Sequence, residues 1–279
     1  MSDIPGLIEE LLRKARESYN DLGVPYDEEG IRNYLETFND MPEEGDFSGL
    51  VESTGTTRTQ LSYNGLAGGS ASDPLGDSVN ANAALGGVEA VADELDEWRG
   101  DAASSFRDNV KIPFRFAVPN MFIAACVIHG AATAQQAVWR EANKNVKEIL
   151  ENAINAIDSL DDCNPDEFTA MVTVIASIVS IPVTGGATGF AVALAGVKAA
   201  NDIAKNGKTF NTGSGEAMNI LWNTKDALDQ VITEVNDGEK KVKTALEGVT
   251  GWMTDSPQQY QLGGRPTLAD HPGGITGMK

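Results

Sequence analysis

The 279-residue chain predicts an all-α fold, an elongated helical bundle. Three observations carry that expectation. Apolar residues recur at three- and four-residue spacing over most of the length, the signature of one buried helix face. Aliphatic and alanine-rich stretches dominate while aromatics are only 6% of residues, which favours helix packing over an all-β core. The periodic stretches are separated by Gly, Pro and Asn-Pro, residues that stop and start helices.

Residues 1–42 read as N-terminal amphipathic helices. Leu7, Ile8, Leu11, Leu12 and Ala15 share one face, with Pro5 near the first turn, and Gly23 and Pro25 close the element. Ile31, Tyr34, Leu35 and Phe38 give a second, shorter helix that ends before Pro42. Residues 43–80 lose the periodicity and are rich in Gly, Ser, Thr, Asn and Asp, so they read as a linker or long loop.

Residues 81–250 hold the main bundle. Leu85, Val88, Val91, Ala92 and Leu95 form a stripe that runs into Trp98. Asp101 is placed to cap the helix that follows, where Ala102, Ala103, Phe106 and Val110 continue an apolar face. Pro113 and Pro119 are expected to break or kink the path. A long helix runs from Asn120 to about Leu160, ended by Asn164-Pro165-Asp166. The last helix spans 214–250, with Gly238 as a weak point inside it. Residues 251–279 are Pro/Gly-rich and read as a flexible tail.

Between the long helix and the last one lies the most apolar stretch, 168–200. Two segments of about 13 residues, each shorter than the roughly 20 needed to span a bilayer, flank Pro182, Gly185 and Gly186. A buried apolar helical hairpin is the plain reading. The sharper one is a membrane-active, pore-forming hairpin carried by Ile175, Ile178, Ile181, Pro182, Gly185, Gly186, Phe190 and Val192.

Charge narrows the choice of partner. Lys and Arg number 21 against 41 Asp and Glu, a formal net charge of −20. Such a surface repels nucleic acid at long range. It serves solubility or, functionally, faces a basic partner surface. Cys126 and Cys163 are compatible with a disulfide or with two reduced core thiols. The N-terminus places acids before and inside its apolar stretch and is not expected to act as a signal peptide.

No catalytic constellation is legible. His129 sits on the long helix, where a packed or hydrogen-bonded role is expected, and His271 lies in the tail. Neither has an acid at triad spacing. Gly68-Gly69 and Gly185-Gly186 lie outside any phosphate-loop frame. Asp158, Asp161 and Asp162 lack the pattern of a calcium loop and read as a solvated helix end. No cofactor and no metal is expected. Trp139, Trp222 and Trp252 read as core or interface anchors, and residues 251–279 are too few for a catalytic domain.

One motif carries more information. Trp98-Arg99-Gly100 lies between two periodic stretches and continues as WRGDAASSF. Gly100 permits a tight turn between antiparallel helices. Trp98 caps the hairpin core with a large ring, Ala102 and Ala103 allow close approach, and Phe106 packs one turn on. These residues resemble the WXG100 superfamily, whose small helical-hairpin members end one helix in W-x-G and open the next with an alanine-rich turn and a Phe. NVKIPFRFAVPN, AVWREANKNV, AIDSLDDC and IPVTGGA extend the likeness to longer actinobacterial WXG proteins. That resemblance implies a WXG helix-turn-helix and association with type VII (ESX-like) secretion. It further implies pairing with a protein partner or self-association as a homo-oligomer. The location it implies is a secreted or cell-surface one, reached without a signal peptide from the cytoplasm. Two features depart from it. Pro113 and Pro119 interrupt the second arm, and no tyrosine fits the Y-x-x-x-[DE] export signal: Tyr26 is followed by Gly30 and Tyr260 by Gly264. Trp222 and Asp226 reproduce the spacing with a different aromatic.

Overall fold

The computed structural model describes residues 3–22, 27–63, 70–73, 78–160, 169–172, 178–181, 194–197, 208–211, 217–255, 257 and 260. The fold is all-α, a helical bundle to which short strands are added. The chain divides into two compact units. One holds Met1–Ser48, Ala134–Val179 and Val197–Val242; the other holds Gly49–Thr133, Ser180–Gly196 and Lys243–Lys279.

In the first unit, α1 (Ile4–Leu22) begins where Asp3 accepts the Gly6 N–H at 3.0 Å, covering one of the orphan donors of the first turn. The stripe read from the sequence is buried: Leu7, Ile8, Leu11, Leu12 and Ala15 all lie in the core. α2 (Glu28–Glu36) is capped by Asp27, whose carboxylate accepts from Gly30 N–H at 2.9 Å. Leu35 and Phe38 join the same core. They meet Val138, Val146, Ile149, Leu150 and Ile157, and Ile220, Leu221, Leu228 and Val231. The former five belong to α6 (Ile112–Ser159) and the latter four to α7 (Ala217–Asp255). Each such aliphatic side chain contributes about 1.5–3 kcal/mol on burial.

Gly238, expected to weaken the last helix, also has a packing role. A Cβ built there would stand 2.8 Å from Val138 Cγ2, so the missing side chain lets α7 approach α6. The helix accepts the propensity cost because a larger residue would collide with a fully buried valine.

In the second unit the expected loop 43–80 is largely replaced by structure. A 3₁₀ turn, Glu44–Phe47, leads from the first unit's sequence into α3 (Ser48–Leu61). α3 has no apolar stripe. Thr54, Thr57 and Thr59 instead donate their hydroxyls back to the carbonyls of Leu50, Ser53 and Gly55 at 2.8–3.0 Å. β1 (Ser70–Ser72) and β2 (Ser78–Asn80) pair antiparallel, with Ala71 opposite Val79. Both side chains pack against Phe122 and Cys126 in a small core. α4 (Ala83–Glu94) follows, capped by Asn82, whose Oδ1 accepts from Ala84 N–H at 3.0 Å.

Neither proline breaks the following path. α5 (Asp101–Phe106), a π turn (Arg107–Lys111) and α6 run on without interruption. Pro113 has no N–H and its ring crowds the carbonyl four residues back. The π turn relieves that by widening the helix just before it: Ile112 N–H bonds Arg107 O, five residues away. Pro119 lies inside α6, flanked by buried Ala117, Val118 and Phe122, whose packing offsets the missing hydrogen bond.

The helical reading of 168–200 is corrected where that stretch is described. β3 (Thr169–Val172), β4 (Ile178–Ile181) and β5 (Leu194–Val197) are strands, and β3 pairs antiparallel with β6 (Lys208–Asn211). Thr169, Val172, Ile178, Val179 and Ile181 are β-branched, which stiffens χ1 and favours a pleated backbone over a helix. Two of the residues chosen for a membrane hairpin, Ile178 and Ile181, lie in β4. Ile175, Pro182, Gly185, Gly186, Phe190 and Val192 lie outside the described residues, as do Cys163, His271 and nearly all of the 251–279 tail beyond α7.

Candidate interaction site

The turn at Trp98–Gly100 is built from the backbone upward. α4 tightens into a 3₁₀ turn, Leu95–Glu97, and Trp98 N–H closes it on Leu95 O at 3.0 Å. Gly100 then adopts φ +99° and ψ −178°. That region of backbone space is essentially restricted to glycine. Gly100 also occupies the cap position expected of Asp101: Ser104 N–H bonds Gly100 O at 3.1 Å. Asp101 is the first residue inside α5, where its carboxylate faces the positive end of the helix dipole.

Trp98 does not cap a core. Its ring is 49% exposed. Ala102, Ala103 and Phe106 are half-buried. Two residues of the α4 stripe, Val88 and Val91, are likewise turned outward, 41% and 55% exposed. The apolar periodicity of α4 is therefore real but only Ala92 of that stripe is buried.

What ties α4 to the chain beyond the turn is charge. Glu89, buried, pairs with Arg115 and accepts from the Tyr63 hydroxyl at 3.3 Å. Asp93 pairs with Lys111 at 3.0 Å and with Arg115 at 3.2 Å. The Tyr63 ring stacks edge-on against Phe114 with centroids 5.6 Å apart. Burial, and next the negative charge of Glu89, push the Tyr63 phenol above its ordinary pKa. Glu89 and Asp93 are four residues apart, as are Lys111 and Arg115, so each pair sits on one helix face. That double i,i+4 pattern was present in the sequence and marks the contact between the arms, which the apolar stripe did not.

Elsewhere in the second unit, His129 has the packed role expected of it. Its Nδ1 lies 3.1 Å from Thr54 Oγ1, and a Cβ at Gly55 would come within 3.1 Å of its Cε1. Arg58 pairs with the fully buried Asp73 carboxylate at 3.0 Å. Trp252 stacks edge-on with buried Tyr260, centroids 4.5 Å apart. In the first unit Trp139 packs partly buried against the core, whereas Trp222 is 58% exposed, and Asp158 pairs with Lys14. Among the described residues one helical run, Asp101–Ser159, is long and apolar enough to cross a membrane. More than half of its most apolar window is buried in the protein, as a core helix also shows. No family model matches the chain, and neither does any curated protein or solved structure.

Proposed function

We propose that the chain is a non-enzymatic helical interaction protein associated with type VII (ESX-like) secretion, as a substrate, partner or self-assembling component. One observation carries this reading: a W-x-G turn held in a glycine-only conformation, with Trp98, Val88 and Val91 presented to solvent beside it. Glycine takes up that backbone without a steric penalty, and large exposed apolar side chains at such a turn are the material of contact surfaces. A two-helix unit buries little by itself, so a hairpin of this kind gains most from a partner.

The test has two arms. Light scattering on the purified chain, alone and mixed with type VII secretion proteins of the same organism, is expected to show a complex that Trp98→Ala weakens. Culture supernatants from strains with and without the secretion machinery are expected to differ in this protein. A monomer that finds no partner, together with a supernatant level indifferent to the machinery, overturns the proposal.

A further inference from the structure

Between α1, α2 and α7, within the first unit, lies a cavity of about 270 Å³. Leu11, Ile31, Leu35, Met218 and Leu221 supply apolar walls, and the exposed indole of Trp222 stands at its edge. Its size is informative. A cavity of about 150 Å³ takes a benzene, and pockets for drug-sized ligands run to about 300–1,000 Å³. A volume between these suits one aromatic side chain.

The polar groups around it set the charge of what enters. Tyr34, on the wall, donates its hydroxyl to Asp229 at 2.7 Å. Lys225 reaches the same carboxylate at 2.5 Å and lies 4.9 Å over the Tyr34 ring, so its ammonium is already committed. Asp27 lines the cavity while capping α2. Asp27 and Asp229 thus stand beside one ammonium, on a chain of net charge −20. The local field favours a cation beside the mouth and opposes an anion.

We infer that this cavity is a docking site for a cationic segment of a protein partner, which seats a single aromatic side chain between Ile31, Met218 and Trp222 with Lys or Arg on either side of it. Aromatic anchors in a desolvated pocket, ringed by weaker polar contacts, carry most of the energy of such interfaces. The inference rests on the reading of the chain as an interaction protein. The two fail separately, because peptide titration judges the cavity while light scattering and supernatant assays judge the reading.

The experiment is a fluorescence-anisotropy titration of the full chain with labelled peptides. The peptide KKAWAKK is expected to bind about tenfold or more tightly than KKAAAKK, which lacks the anchor, and than EEAWAEE, which reverses the charge. Ile31→Trp fills the cavity and is expected to weaken KKAWAKK about tenfold. Trp222→Ala removes an exposed side chain, leaves the fold intact and is expected to weaken it in the same direction. Equal affinity for the Trp and Ala peptides would show attraction by charge alone and overturn the inference. So would unchanged binding in both variants, or no binding of KKAWAKK at all.

Discussion

The first unit fully buries Leu11, Leu12, Ile149, Leu150, Ile220 and Leu228. In the second unit, among the described residues, no leucine or isoleucine is buried; its interior is Ala, Val, Phe, Cys126 and Tyr260, with Ser62, Glu89, Lys111 and Asp73 among them. The exposed apolar residues are divided the other way. Among the described residues Leu50, Val88, Val91, Trp98, Ile112, Phe116, Ile128, Leu246 and Met253 belong to the second unit, against Trp222 and Ile232 in the first. The first unit therefore follows the ordinary rule that aliphatic burial drives folding. The second holds itself together with charge pairs and small residues and leaves large side chains for something else. Buried polar ties specify an arrangement without adding much net stability, so the second unit is the part expected to gain most from a partner.

Several substitutions would break or sharpen that contrast. Leu228→Ala, in the aliphatic core, is expected to have the largest effect, about 2–5 kcal/mol by urea denaturation, because the surrounding helices cannot fully close on the gap. Gly238→Ala should cost about 1–3 kcal/mol, since its methyl would overlap Val138, and pairing it with Val138→Ala should recover part of the loss. In the second unit Gly100→Ala is expected to cost about 1–3 kcal/mol by placing a Cβ in glycine-only backbone. If hydrogen exchange shows that loss concentrated in α4 and α5, the two units are energetically separable. Protection spread evenly into α1 would merge them.

Alkaline pH tests the tyrosines of both units. Tyr34, Tyr63 and Tyr260 all have pKa values raised, first of all by burial. The fold therefore prefers the neutral phenols. Their contribution is fully present below the ordinary tyrosine pKa of about 10 and is lost as pH climbs from there through the folded values. The thermal midpoint should hold to about pH 9 and fall above about 10. Tyr34→Phe should make that fall shallower. The smallest effect on stability is expected from Trp98→Ala, within about 0.5 kcal/mol because the ring is exposed. A larger loss would mean that Trp98 packs in solution, and the distinction drawn between the units would weaken.

The sequence made α1, α2, α6 and α7 readable because their apolar residues have a single buried face, as Leu7, Ile8, Leu11 and Leu12 illustrate. α3 was unreadable for the opposite reason. Leu50 is exposed, and the helix is fixed by Thr54 on His129 and Arg58 on Asp73, contacts that depend on residues far along the chain. The turn at Gly100 was legible from W-x-G, but the direction of Trp98 was not, since an apolar stripe does not reveal whether its partner is in the same chain. Residues 169–172, 178–181 and 194–197 were misassigned because apolar runs of that length fit either a buried helix or a strand; β-branched side chains favour the strand in 169–172 and 178–181, whereas Leu194-Ala195-Gly196-Val197 carries that signal only at its last residue. The cavity beside Trp222 left no trace in the sequence, as it is formed by helices nearly 200 positions apart.

The π turn at Arg107–Lys111 fixes a phase. Each residue advances an α-helix by about 100°, and the wider turn takes up its one extra residue while leaving the segments on either side near the phase of a continuous helix. Deleting Asn109 would return the segment to α geometry and set the Pro113 ring back against the carbonyl four residues before it. The extra residue thus acts as a spacer: it admits a proline to the helix without turning Lys111 and Arg115 away from Glu89 and Asp93.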